Sequence, residues 1–568
     1  MYPLFACTGT SATVLTVLDS ADPRCKFFDQ VLLPMLRFWG APLGILDLAA
    51  LPPTLPDYRS IALVLVPQEG ILPERMIPVT GLVDAACKAG AGVIILDPAL
   101  EALWMDPQER LRIAARSWTG VYGIRSAKIV ADHFIARLQR NFRSFEFAKP
   151  VPALPRTNGT VLLADFEGAP LLVLNEGYCR IVEWGLGLTV WTPNGLGFGR
   201  GLDALLWRSI LWAARKPFAM AAFPPFGRFR FDDCRGLWHN PADLAFLDVM
   251  AEFGERPNLG VCLSALTNEG WQHLAARANK HEIEVSPHVQ EPDVGIFNVA
   301  EQATEPAPCE DPLAVRIRDQ FAGHGCCMAT SVSDHNHELS SRGLRIARTL
   351  KMTSRMNVLR IGETWDGLHR DWRPAPFGRM NYALDHFIDA PDLFTAINHH
   401  PSFADSFTHL GDEHFLCTEF GGFTPDRWDF LNGLVGENGN DIEAAVERLL
   451  IHAELALNSL FFLGSISHTH FMRYLSAADW RRLLGAYHDF ADPLGHVPRS
   501  YAEIAAYAEW RGELGNVAIA PEGTHSGEQP LWGLLATDGS EEPSLRWQML
   551  SYWAAPNNGN IAQRQKSN

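Results

Sequence analysis

Apolar and polar positions follow two regimes along the chain. Through residue 216, short runs of apolar, often β-branched residues end at turn signals: 13–18, 61–66 before Pro67, and 92–96 before Asp97-Pro98. Between them, apolar residues recur at helical spacing over 27–39 and 77–88, the latter closed by Gly90. Strand, helix and strand at this spacing predict βαβ units and a parallel sheet covered on both faces. Shorter strands follow at 161–164, 171–174 and 179–184, then a helical run at 202–215 and a hinge at 217–225.

The second regime opens with FGRFRFDDCRG at 226–236, where Phe229 and Phe231 alternate as on a strand that ends at Asp232-Asp233. A strand at 259–263, a helix at 268–279 capped by Asn268, and a strand in HEIEVSPHVQ ending near His288 come next. Further on, the pattern predicts a helix at 339–350, a strand at 459–463 and an amphipathic helix at 477–487. A helical run at 393–397 would place Asn398-His399-His400-Pro401 in a loop. After Gly512 the pattern breaks into short strands such as 516–520 and 531–537, a small β appendage with a disordered tail. Three domains are therefore expected, at 1–218, 219–511 and 512–568.

Composition narrows the function classes. With 568 residues, 47% hydrophobic and 20% charged, the chain is globular. A net charge of −17 and no long basic run argue against nucleic acid and anionic membranes as partners. No apolar stretch is long enough for a membrane span. The first residues carry no basic n-region, and the 10 cysteines form no CxxC pair, so a cytoplasmic protein with reduced thiols is expected. Histidine is far from evenly spread: of 20, only His133 precedes Trp238. Because histidine is the commonest metal ligand and acid–base group near neutral pH, the chemistry is expected in the second half.

Two carboxylates at a strand end would lie where α/β barrels place their chemistry. Successive side chains on a strand point to opposite faces, so the chain must bend at Asp232-Asp233 for both to enter one site. Asp334-His335-Asn336-His337-Glu338 and Ser465-Ile466-Ser467-His468-Thr469-His470 each sit at a strand-to-helix junction, where imidazoles can reach a barrel mouth. Trp238, Trp365, Trp372 and Trp428 fall in loops of the same half and could stack on sugar rings.

Residues 15–216 resemble the flavodoxin-like, glutamine-amidotransferase-like domains, most closely in GLDALLWRSILWAARKPF at 201–218. No nucleophile elbow is present and Cys87 falls in a helical pattern, so this domain is expected to be inert and to serve packing or homo-oligomeric assembly. From residue 226 onward, the strand-end Asp pair, the βα unit and E-V-S-P-H resemble the polysaccharide deacetylases, carbohydrate esterases with a distorted (β/α) barrel. That resemblance implies Asp232 as general base, Asp233 and His288 as ligands of a divalent ion, zinc by preference, and His468 or His470 as the acid that protonates the leaving group. The family's second histidine, four residues after the first, is Pro292 here. The third ligand is therefore sought at His335 or His337, with His337 favoured as nearer the barrel rim. The implied activity is removal of an acetyl or other acyl group from a carbohydrate or related small substrate, with Trp238, Trp365, His399 and His400 lining the substrate site. Two alternatives stay open: a glycoside hydrolase or lyase pairing Asp232 or Asp233 with Glu363 or Glu419, and a non-catalytic sugar-binding protein.

Overall fold

The computed structural model describes residues 13–105, 110–116, 120–137, 143–156, 158–192, 195–197, 201–235, 244–299, 310–333, 335, 340–352, 354–356, 397–399, 404–407, 413–416, 429–504, 506–507, 519–520, 532–536, 547–549 and 551–552. The first half is built on a nine-stranded sheet. Its spatial order is Leu43–Asp47, Thr13–Leu18, Ile61–Val66, Gly92–Ile95, Arg180–Trp184, Pro170–Glu176, Thr160–Ala164, Tyr122–Ile129 and Ser144–Ala153.

The first five of these strands run parallel, and the central ones are buried end to end, as a sheet covered on both faces requires. The remaining strands pair antiparallel, which corrects the expectation of a purely parallel sheet. The physical reason is connection length. The loops joining Thr160–Ala164, Pro170–Glu176 and Arg180–Trp184 are too short for the crossover that parallel neighbours need.

One face of this sheet is covered by the helix Pro73–Lys88 and the hairpin Leu100–Met105/Arg110–Ala115. The other face shares a single continuous core with the second half. The helix Leu202–Ala213 lies in that shared core with every residue buried, in keeping with apolar residues on all its sides and only Asp203, Arg208 and Ser209 polar. Trp207 Nε1 donates to Asn458 O at 2.7 Å, Arg208 Nη2 to Asn458 Oδ1 at 3.2 Å, and Trp39 Nε1 to Ser459 O at 3.3 Å. The expected hinge is not one. Phe218–Met220 is a buried strand that pairs antiparallel with Trp532–Ala536 of the C-terminal segment, and Ala221 N donates to Gly40 O.

In the second half, a curled sheet runs Val294–Gly295, Glu284–Glu291, Asn258–Cys262, Phe226–Cys234, Leu463–His468. All but the first pair are parallel, and Val497–Pro498 joins the start of the central strand. Ser331–Ser333 lies beside Glu284–Glu291 and begins a second sheet that continues through Ser354–Met356 and Glu413–Leu416. Helices Ala245–Glu252, Asn268–Ala278, Pro312–Gly323, Ser341–Thr349 and Ile442–Asn458 connect successive strands. The molecule is thus mixed α/β: a large mixed sheet beside a half-barrel.

Local details differ from the sequence pattern in three places. Thr267, not Asn268, caps the Asn268–Ala278 helix, its side chain accepting from Gly270 N. The strand expected at 459–463 is Leu463–His468, because the preceding helix runs on to Asn458. His399 ends a short strand, Ile397–His399, rather than sitting in a loop. Among the described residues, no helix is long and apolar enough to cross a membrane, and no disulfide joins two of the described cysteines.

Candidate functional site

The central strand Phe226–Cys234 sets up the site through its period of two. Phe229 and Phe231 face outward, and Phe231 packs edge-on against Phe246 and Trp480 of the covering helices. Arg228, Arg230 and Asp232 alternate with them and face inward, fully buried.

At the end of the strand the ladder slips. Phe231 pairs with Leu259 but Cys234 with Val261, so one residue is extra on this side, and Asp233 adopts a left-handed backbone at φ 57°. This bulge is the bend that brings both aspartates into one site. Gly260, on the neighbouring strand, leaves the room: a Cβ there would lie 2.5 Å from Asp232 Oδ1 and 3.2 Å from His288 Cβ.

Asp233, His288 and His335 present donor atoms that all lie within 4.8 Å of one another. Asp233 Oδ1 is 3.6 Å from His288 Nε2, near the ~3.4 Å edge of a tetrahedron with ~2.1 Å bonds. The rings of His288 and His335 meet edge to face at 5.4 Å. His288 Nδ1 lies 2.8 Å from the Ser333 carbonyl, which can only accept. Burial would lower His288, but the Asp232 charge and the Asp233 contact raise it. Once neutral, the ring keeps its proton on Nδ1 and turns the Nε2 lone pair to Asp233. Asp233 Oδ1 is buried without a hydrogen-bond partner among the described residues. An orphaned carboxylate oxygen beside an imidazole lone pair fits a cation bound between them. Burial would raise Asp233, but the His288 ring and the charges of His288 and His468 hold it down at about 2. Burial, then the neighbouring charge of His288, lower His335.

Two charged pairs flank this group. Arg230 grips Asp232 from Nε at 2.9 Å and from Nη2 at 2.6 Å, and Ser333 Oγ donates to the same carboxylate at 3.1 Å. Burial alone would raise Asp232; the Arg230 guanidinium and nearby His288 instead hold it well below the ordinary carboxylate range. On the neighbouring strand His468 stands in register with Asp232, and its Nδ1 lies 2.6 Å from Asp429 Oδ2. Asp429 is buried, and its other oxygen accepts from the backbone of Leu431 and Asn432. Burial would lower His468, but the Asp429 contact raises it above the ordinary imidazole value. His470, on the following turn 5.4 Å from the His468 ring, keeps an exposed edge; partial desolvation of its ring and then the His468 charge lower its affinity for protons.

The structure therefore brings together Asp232, Asp233, His288, His335 and His468, with His470 at the margin. His337, His400, Trp238, Trp365, Trp372, Trp428, Glu363 and Glu419 lie outside the described residues, as does the side chain of His399. Sequence reasoning missed Arg230, Ser333, Gly260 and Asp429. Arg230 carried a signal, being two residues before Asp232 on one strand face; Asp429 carried none. In the first half, Cys87 is fully buried on the Pro73–Lys88 helix, and contact with Cys179 together with burial pushes its thiol far up, so it is no nucleophile. Comparison with protein-family models and with curated proteins finds no match to this chain.

Proposed function

We propose that the chain is a metal-dependent hydrolase that removes an acyl group, most simply acetyl, from a carbohydrate or a related amide or ester. The observation that carries this reading is the convergence of Asp233, His288 and His335 at the C-terminal end of a parallel sheet. On this reading the half-barrel belongs to a distorted (β/α) barrel of the polysaccharide deacetylase type, and the first half is a non-catalytic amidotransferase-like domain.

Asp233, His288 and His335 would hold a divalent ion, and their His/carboxylate donor set favours zinc. Such an ion supplies Lewis acidity and acidifies water toward neutral pH. Asp232 accepts the proton of the attacking water. Arg230 keeps its carboxylate charged and aimed, at the cost of basicity, so this acceptor is available throughout the neutral range. His468 donates a proton to the departing amine or alcohol, and Asp429 keeps it protonated until then.

The test is acetate release from N- and O-acetylated oligosaccharides, before and after dialysis against a chelator, and after adding back zinc or cobalt. Activity should vanish with the metal and return with it. Chelator-insensitive cleavage that releases reducing sugar would overturn the reading in favour of a paired-carboxylate glycosidase.

A further inference from the structure

A second group of two imidazoles and a carboxylate lies at the opposite end of the same strand. Glu255 follows the helix Ala245–Glu252, His488 belongs to the helix Ala477–Ala491, and His496 precedes Val497–Pro498, which pairs with Phe226 and Gly227. Glu255 Oε1 is 3.1 Å from His488 Nε2 and 3.0 Å from His496 Nε2. Glu255 is 2% exposed. Phe253 and Tyr487 pack their rings against His488 at 5.1 and 5.3 Å. A Cβ on Gly227 would lie 2.3 Å from His496 Cε1 and 2.4 Å from Tyr487 Oη, so the strand carries a glycine where this cluster presses on it.

The hydrogen bonds around the cluster decide where the imidazole protons sit. His488 Nδ1 is 3.0 Å from Asp492 Oδ1, and His496 Nδ1 is 3.2 Å from the Pro225 carbonyl. Asp492 only accepts, so neutral His488 carries its proton on Nδ1. His496 Nδ1 also lies 3.2 Å from Tyr487 Oη, which can donate to it and leave His496 Nε2–H to donate to Glu255 Oε1 at 3.0 Å. The His488 Nε2 lone pair then points at Glu255 Oε1, and two sites rich in electron density meet away from water. Glu255 Oε2 and His488 Nε2 are buried and make no hydrogen bond among the described residues. A cation bound by all three donors relieves this arrangement. The alternative, a protonated His488 held between Glu255 and Asp492, leaves Glu255 Oε2 buried with no hydrogen-bond partner among the described residues.

We propose that Glu255, His488 and His496 form a second divalent-metal site, structural rather than catalytic, that takes zinc. The 3.0–3.1 Å spacings approach the ~3.4 Å edges of a tetrahedral zinc site. Tyr487 Oη, 3.3 Å from His496 Nε2, lies where a further oxygen or a water would complete the shell. The metal would clamp two helices and an edge strand at the base of the half-barrel, the end where such folds invest in stability rather than chemistry.

The test uses the full chain carrying His288→Ala, so that the Asp233 site is disabled whether or not that site binds metal. After dialysis against a chelator and reconstitution with Zn2+ alone, this protein should bind one equivalent by elemental analysis, and its thermal midpoint should rise with free zinc. Adding His488→Gln or Glu255→Gln should remove both the equivalent and the zinc-dependent rise. His488→Gln is the milder change, because its ring reaches the surface, and circular dichroism confirms that each variant is folded. A folded His288→Ala protein that binds no zinc, or one whose zinc survives both further substitutions, would overturn the proposal and leave the cluster as a proton-held clamp.

Discussion

One strand, Phe226–Cys234, carries a histidine–carboxylate cluster at each end, about 20 Å apart at ~3.3 Å per residue. At the start of the strand the backbone is regular, and the cluster of Glu255, His488 and His496 is wrapped by aromatic rings, with the exposed Asp492 holding the outer nitrogen of His488. At the end, the strand bulges, and Asp233, His288 and His335 are flanked by Asp232–Arg230 on one side and His468–Asp429 on the other. Similar donor sets thus sit in opposite settings. Donor geometry alone licenses binding of a cation; chemistry also needs groups that take and give protons close by.

This contrast can be broken most severely at the bulged end. His288→Ala or His335→Ala should reduce hydrolysis by more than the ~100-fold that damage to groups behind the ligands costs, and should remove metal from this end only. Equal metal content in these variants and the parent would dissolve the distinction. Gly260→Ala comes next. Its new Cβ would displace the Asp232 carboxylate and crowd Ser333 Oγ and His288 Cβ, and kcat should fall about 100-fold together with a loss of about 1–3 kcal/mol of stability. An unchanged kcat would show that the spacing of these groups is not critical.

Asp429→Asn should have a smaller effect, about 10-fold on kcat, with a diagnostic pH signature. Asp429 raises the His468 pKa, and a general acid is active only while protonated, so the basic limb of the pH–rate profile should move to lower pH. A basic limb that stays in place would remove His468 from the acid role. The smallest effect is expected at the strand start, where His496→Gln should lower the thermal midpoint and leave kcat at room temperature unchanged. A large loss of kcat there would mean that the two ends are not functionally separate.

Much of this was legible in the residue pattern. Thr13–Leu18 and Ile61–Val66 emerge at their expected bounds because buried parallel strands are continuous apolar runs between turn signals. The Asp232-Asp233 bend was legible as a requirement, since period-two geometry forbids both side chains on one face without a bulge. What could not be read was long-range. Asp429 meets His468 only because the two chain segments are bridged at Ile466, and nothing around residue 429 signals a partner 39 positions away. The burial of 218–225 was hidden for the same reason, because a Pro-rich segment looks like a linker until another strand pairs with it. Thr267 and Asn268 are both good caps, and only backbone geometry chooses between them.

The left-handed backbone at Asp233 sets stability against function. An L-residue with a side chain costs roughly 1–2 kcal/mol in that conformation, and glycine costs almost none. Asp233→Gly should therefore give a sturdier fold that has lost the carboxylate its bulge exists to aim. Selection for thermostability alone would favour that replacement, so a library screened only by heating should drift toward folded, inactive chains at this position.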